Sequence, residues 1–189
     1  MSSNMVRWDG LAGVVAAVMF VLTTILTQRA PPQRVYDSFS DYLYQVVALV
    51  GYAGAMGAIL GLHALLSQSG RYGRLGAMGS FLAFIGYAII FVVTAVSALQ
   101  GRQALLSVRL IGGVAVLIGS ILLGVMTIRT RVVPWWCGVL LIVAFPLGDL
   151  SNAVVSGGEG LLLGILWGAV GYALLSLRGT VAEQPSRVS

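Results

Sequence analysis

The chain has 189 residues, of which 58% are hydrophobic and only 9% are charged. A soluble domain normally carries about 25% charged residues, so this composition excludes an ordinary water-soluble fold and indicates an integral membrane protein. The net charge of +5 comes from arginines that flank apolar segments, which argues against a nucleic-acid partner. The chain has no lysine, so a retinal Schiff base is excluded. It has a single cysteine, so an internal disulfide is excluded.

Six charge-free apolar runs follow one another along the chain. In order, they are Gly10–Gln28, Tyr42–Gly70, Leu75–Gly101, Leu110–Ile128, Val132–Gly148 and Gly160–Leu177. Each is close to the roughly 20 apolar residues with which an α-helix crosses about 30 Å of hydrocarbon. The helices predicted around these runs cover residues 10–28, 43–66, 75–99, 108–128, 133–152 and 160–177. We therefore predict an all-α, polytopic membrane fold: a single membrane domain over residues 1–189 with six transmembrane helices and a polar tail at 179–189.

The arginines are unequally distributed between the two sides of this predicted domain. With six crossings, the side of the N-terminus carries Arg7, Arg71, Arg74, Arg129, Arg131, Arg178 and Arg187. The opposite side carries Arg29, Arg34, Arg102 and Arg109. Because cytoplasmic loops are enriched in Lys and Arg, this bias predicts that both termini and the polar tail are cytoplasmic.

The odd-numbered helices begin in a similar way. Each follows an arginine and a nearby aromatic residue, as in Arg7-Trp8, Arg71-Tyr72 and Arg131 before Trp135. This similarity predicts three consecutive helical hairpins inserted in the same orientation. Low-complexity apolar segments also resemble one another by chance, and that alternative stays open.

Small residues recur at helical spacing inside the runs. The sixth run has Gly160, Gly164 and Gly168, and the second has Gly57 and Gly61. In lipid no hydrophobic force drives helices together, so small residues that permit close backbone approach favour association. The rows predict tight helix packing within the lipid bilayer, either inside one chain or through self-association or membrane protein partners.

An acidic residue follows a proline near the end of the fifth run. If the helix continues through Pro146, Asp149 lies inside the span; if the helix ends at Gly148, Asp149 is an ordinary loop acid. Ionisable groups inside a span usually face the bundle interior or a water-filled cavity. A polar pocket open to the outside is therefore a candidate site, formed by Asp149, Asn152, Thr24, Thr27, Thr94, Ser97 and Arg109. The alternative is an Asp–Arg pair that ties helix five to the outer loops.

His63 is the only histidine, about one turn from the predicted cytoplasmic end of helix two. It is a weak candidate for cofactor binding together with Cys137 or a methionine, although a lone histidine near a helix end more often lies at the membrane interface. Hydrolase motifs are absent, and metal ligands are too few and too scattered for a zinc site. The sequence predicts no catalytic residue, no metal and no cofactor.

Two resemblances concern the layout of the chain. Ala12-Gly13 and Ala16-Ala17 match a small-residue row on helix one, and with the small six-helix layout they resemble the substrate-binding membrane subunits of energy-coupling-factor transporters. That resemblance implies an outward-facing vitamin site. Arg74-Leu75-Gly76 and Pro134-Trp135-Trp136-Cys137-Gly138 are similar to helix openings in uncharacterised six-helix proteins of high-GC bacteria. This second resemblance implies a bacterial inner membrane and no particular activity.

Three functional hypotheses follow from the sequence. Dense glycine rows and sparse internal polarity favour a non-catalytic accessory or scaffold subunit of a membrane complex. The alternative is a transport component that binds a small solute or lipid in an outward-facing pocket around Asp149. A third hypothesis is a membrane enzyme or redox carrier near His63 and Cys137.

Overall fold

The computed structural model describes residues 3–29, 35–70, 72–154 and 156–176. Within these ranges the chain forms six α-helices and no β-strand. They are α1 (Ser3–Arg29), α2 (Phe39–Ser67), α3 (Gly73–Gln100), α4 (Leu106–Thr130), α5 (Trp135–Val154) and α6 (Gly158–Ser176). All except α5 are long and apolar enough to cross a membrane, which is the pattern of a multi-pass membrane protein. The predicted tail at 179–189 lies outside the described residues.

Local hydrogen bonds fix the ends of the helices. The Ser38 hydroxyl accepts from the backbone N–H of Asp41, and the Asp41 carboxylate accepts from the backbone N–H of Ser38, which together cap α2. Gly101 ends α3 with a φ of 63°, a left-handed conformation that glycine adopts without steric cost. The Tyr36 N–H donates to the Gly101 carbonyl at 2.8 Å, so the segment before α2 is attached to the end of α3.

Helix α5 continues through its proline. It has 20 residues with Pro146 inside, and at about 1.5 Å per residue it extends about 30 Å. The apolar part of α5 ends at Gly148, but the helix itself continues to Val154. Asp149 therefore belongs to the last turns of the helix and not to a loop. Of the two alternatives that the sequence left open, the continuous helix is the one observed. The side chains of Asp149 and Asn152 lie outside the described residues.

The six helices form a closed ring. Each packs against its neighbours in the chain, and α6 returns to pack against α1. The outer surface is rich in exposed apolar side chains, among them Val18, Val46, Phe81, Val92, Ile118 and Ile165. Such a surface is suited to lipid. At one end of the ring, here called the distal end, α1, α3 and α5 finish and α2, α4 and α6 begin.

Close backbone contact between α1 and α6 closes the ring. A Cβ added to Gly171 would lie 2.8 Å from the carbonyl oxygen of Gly10, and one added to Gly13 would lie 2.9 Å from the Cα of Gly171. Farther along, a Cβ on Gly164 would lie 3.1 Å from the carbonyl oxygen of Ala17. Only residues without a side chain permit this approach over several turns.

The other glycines predicted to pack also lie against α1. They are Gly57 and Gly61 of α2, and Gly160 and Gly168 of α6. Helices α3 and α4 approach each other in the same way, through Gly79, Gly86, Gly112 and Gly119. The predicted rows therefore have packing partners within one chain.

Replacing Gly171 with alanine tests the contact that closes the ring. The added methyl group meets the backbone of α1, where no side chain can move aside, so we expect Gly171→Ala to lower the melting temperature in detergent by several degrees. The matched control is Gly113→Ala, whose methyl group meets open space, and alanine is the better helix former. Equal melting temperatures for the two variants would contradict the close approach.

Candidate binding cavity

A cavity that is open to the surroundings lies at the distal end of the ring. The cavity has two lobes, of about 300 and about 200 Å³, which share Tyr52, Arg109, Glu159 and Leu163. The larger lobe is mainly apolar, with walls that include Ile90, Leu110, Leu117 and Phe145. The smaller lobe is richer in hydroxyl groups, from Thr23, Thr27 and Tyr44. Side chains from all six helices thus meet around one space.

Arg109 lines both lobes of the cavity. It belongs to the first turn of α4, and its side chain is exposed. The phenol groups of Tyr44 and Tyr52 both interact with its guanidinium group, and the Glu159 carboxylate attracts it electrostatically. A guanidinium group has five N–H donors in a planar fork. Arg109 can therefore hold two phenol oxygens and still donate to an anion in the cavity.

The hydroxyl groups of the smaller lobe form a directed chain. Tyr44 interacts with the Thr27 side chain as well as with Arg109. The Thr27 hydroxyl donates to the Thr23 carbonyl at 2.8 Å, which leaves its oxygen to accept from Tyr44. The Tyr44 oxygen in turn can accept from Arg109. Each group in the chain has one direction in which to donate, so the network orients the guanidinium group.

Glu159 enters the cavity from the start of α6. It lies in the first turn of that helix, where the helix dipole favours a negative charge. A Cβ on Gly148 of α5 would lie 3.2 Å from the Glu159 Cγ, so a glycine at this position leaves room for the stem of the glutamate. The single described carboxylate of the cavity is thereby held across from Arg109.

Tyr36 lies beside this charged group, in the segment before α2. Its side chain is buried, and this burial raises the pKa of its phenol, while the positive charge of Arg109 acts in the opposite direction. Because burial is the larger effect, Tyr36 stays protonated at neutral pH. It therefore adds a neutral aromatic side chain, and no charge, to the surroundings of Arg109.

Aromatic side chains in edge-to-face and tilted contacts close the cavity toward the middle of the bundle. The Trp167 indole N–H donates to the Tyr87 hydroxyl at 3.1 Å, and both side chains are fully buried. The ring centroid of Tyr87 is 5.7 Å from Trp167, 6.1 Å from Tyr52 and 6.2 Å from Phe145. This cluster separates the cavity from the apolar core below it.

Three of the seven side chains predicted for the pocket lie at or beside the cavity. Thr27 and Arg109 line the same lobe. Thr24 lies next to them, where its hydroxyl donates to the Gly157 carbonyl at 2.8 Å and links α1 to the start of α6. These residues come from α1 and α4, which are not adjacent in the ring.

Two of the other four predicted side chains, those of Thr94 and Ser97, line neither lobe. Thr94 is buried in α3, and its hydroxyl has no hydrogen-bond partner within the described part of the chain. The Ser97 hydroxyl accepts from the Ala104 N–H at 3.1 Å and so stabilises the turn after α3. The side chains of Asp149 and Asn152 are not described, so their membership of the pocket stays a prediction.

Three polar residues that line the cavity, Tyr44, Tyr52 and Glu159, are not among those that the sequence predicted for the pocket. The spacing of the two tyrosines could have predicted their position, because Tyr44, Ala48 and Tyr52 are four residues apart and share one face of a helix. A polar stripe on an apolar helix marks the side that faces away from lipid.

His63 and Cys137 have separate environments. The His63 Nδ1 is 3.0 Å from the Tyr72 hydroxyl, whereas the buried Cys137 Sγ lies 4.0 Å from the Ala169 carbonyl. Among the described residues no three His, Cys, Asp or Glu side chains cluster around a possible metal position. The hypothesis of a redox site at this pair gains no geometric support.

Comparison with known proteins adds no relative to these observations. No protein-family model, no curated protein and no solved structure matches the chain. The two resemblances drawn from the sequence therefore stay predictions.

The aromatic cluster can be tested through its hydrogen bond. Tyr87→Phe leaves the buried Trp167 N–H without its acceptor, and we expect a loss of about 1 kcal/mol in the free energy of unfolding, measured by denaturation in mixed micelles. Tyr172→Phe, on the exposed side of α6, is the matched control and should cost nearly nothing. The same loss in both variants would show that the buried pair does not stabilise the bundle.

Proposed function

We propose that this chain is the solute-binding component of a membrane transport system. Its ligand would be a small carboxylate with an apolar or aromatic body, bound in the distal cavity. The observation that carries the proposal is that Arg109 lines both an apolar lobe and a hydroxyl-rich lobe of the cavity, at the distal end of a ring of apolar helices. Charged groups inside membrane domains are costly and commonly mark substrate pathways.

The chemistry of each part of the cavity fits this ligand class. Arginine recognises carboxylates through two parallel hydrogen bonds, and the Tyr44 and Tyr52 phenols support its orientation. The larger lobe offers an apolar surface to the rest of the molecule. Its volume of about 300 Å³ is at the lower limit of sites for small ligands, which are about 300–1,000 Å³. The ligand should therefore be small.

The accessory-subunit hypothesis, which rests on dense glycine rows and sparse internal polarity, stays an untested alternative. We favour transport because the glycines of those rows lie against α1 of the same chain and because the cavity has a polar lobe. The transport hypothesis still has a candidate pocket, but the residues that organise it differ from those predicted. The proposed pocket is organised by Arg109 and Glu159, whereas the sequence placed Asp149 at its centre.

We further propose six crossings with both termini in the cytoplasm of a bacterial cell. The unequal distribution of arginines supports this orientation, and the length of α5, about 30 Å, is compatible with a sixth crossing. The distal cavity then opens to the outside. An incoming solute would meet Arg109 before the aromatic cluster.

The orientation can be tested with alkaline phosphatase fusions, which are active only outside the cytoplasm. We expect an inactive enzyme when it is fused to the C-terminus and an active one when it is fused after Gln103, between α3 and α4. The opposite pattern would place the cavity on the cytoplasmic side.

Ligand binding can be tested by calorimetry with phenylacetate and its neutral analogue phenylacetamide. We expect Arg109→Gln to weaken phenylacetate binding about 10- to 100-fold, because a hydrogen bond to a charged group contributes about 1.5–3 kcal/mol. The matched control is Arg102→Gln, which removes an exposed charge at the same end of the bundle. Glu159→Gln should strengthen binding, because it removes the anion that competes for Arg109.

Two outcomes would contradict the proposed site. One is equal binding of phenylacetamide and phenylacetate by the unmodified protein; the other is the same change in Arg109→Gln and Arg102→Gln. Native purification adds a separate test. Stoichiometric partner polypeptides without a bound small molecule would favour the accessory-subunit hypothesis instead.

A further inference from the structure

A second cavity lies on the outer surface of the ring, between α2 and α3. This groove has a volume of about 480 Å³, and its walls include Leu60, His63, Met78, Ser80, Phe81 and Phe84. Leu60, Met78 and Phe81 are each more than half exposed, so the groove opens toward the surroundings of the bundle. It lies toward the end of the ring opposite to the Arg109 cavity, where α2 finishes and α3 begins.

A chain of polar side chains lies at one side of this otherwise apolar groove. The Tyr72 hydroxyl hydrogen-bonds both the His63 Nδ1 and the Ser80 hydroxyl. The edge-to-face contact between the rings of His63 and Tyr72, with centroids 5.3 Å apart, holds the imidazole in place. When Nδ1 accepts from the Tyr72 O–H, the imidazole proton lies on Nε2, which can donate to a ligand in the groove.

A positive charge lies in line with the groove. Arg74 is exposed in the first turn of α3, and it shares one helical face with Met78 and Phe81, four and seven residues later. From Arg74 to Phe81 this stripe extends about 10 Å along the helix. The groove thus combines a cation at the boundary of the apolar span with an apolar channel directed toward the middle of the membrane.

We propose that this groove binds one molecule of an anionic phospholipid. An acyl chain lies along Met78 and Phe81, while the phosphate accepts hydrogen bonds from the Arg74 guanidinium and the His63 Nε2–H. A phospholipid is the occupant that fits, because the groove lies on the outer surface of a ring of apolar helices and the charged residue in line with it, Arg74, is positive. Basic sites beside transmembrane helices bind anionic headgroups in this way. The proposal does not depend on the function of the Arg109 cavity.

Native mass spectrometry in a non-ionic detergent tests the headgroup contact, with phosphatidylglycerol and phosphatidylcholine as probes. We expect Arg74→Gln to weaken phosphatidylglycerol binding about fivefold, the effect of one arginine near a membrane surface, and to leave phosphatidylcholine binding unchanged. Arg129→Gln is the matched control, since it removes an exposed arginine at the same end of the bundle but on α4. Equal weakening in both variants would show that general surface charge attracts the lipid, and would overturn the proposal.

The acyl-chain contact is tested by filling the groove. Met78→Trp should weaken the binding of both lipids at least tenfold, and Leu60→Trp should do the same from the opposite wall. Both positions are exposed, so an indole can be accommodated without disturbing the core. Val125→Trp, at a similar depth on α4, controls for an added aromatic ring. Unchanged binding in Met78→Trp and Leu60→Trp would overturn the proposal.

Discussion

The structure depends on the close approach of the α1 and α6 backbones. In a bilayer, apolar helices gain little by leaving lipid for one another, so their association rests on close packing and internal hydrogen bonds. Gly13 and Gly171 bring the two backbones into direct contact, and this contact joins the last helix to the first. Smaller contacts between α6 and α2 add to this closure. The ring, and the cavity at its distal end, therefore depend on the absence of side chains at a few positions.

Once the ring is closed, its interior can hold groups that lipid would reject. Arg109, Glu159 and the two tyrosines come from three different helices, and each satisfies part of the polarity of the others. The hydroxyl chain from Tyr44 to Thr27 and Thr23 ends on a backbone carbonyl, so the network is anchored in α1. The two phenols account for two of the five N–H donors of the guanidinium group. An oriented guanidinium group with further donors is what a site for a small anion requires.

The sequence predicted the helices better than the site. Apolar runs define where helices must lie, because no other element except a closed barrel satisfies its backbone in hydrocarbon. They do not define the helix boundaries. The second helix was predicted to begin at residue 43, but α2 begins at Phe39. Its capping box includes Asp41, a charged residue that a search for charge-free runs leaves out. Nor do they define which face is internal. Thr94 and Ser97 were assigned to the pocket by depth alone, although rotation about the helix axis decides whether a residue at a given depth faces the cavity.

The central claim is that a water-accessible cavity lies inside a ring whose exterior is covered by lipid. Its most direct test is the labelling of single cysteines in membranes with an anionic, membrane-impermeant methanethiosulfonate. In α1, Thr27 lines the cavity, whereas Ile25, two residues away, is exposed on the surface of the bundle. The account predicts rapid labelling of Thr27→Cys, aided by Arg109, and none of Ile25→Cys, with the buried native Cys137 as background. Labelling of Ile25→Cys without labelling of Thr27→Cys would contradict it.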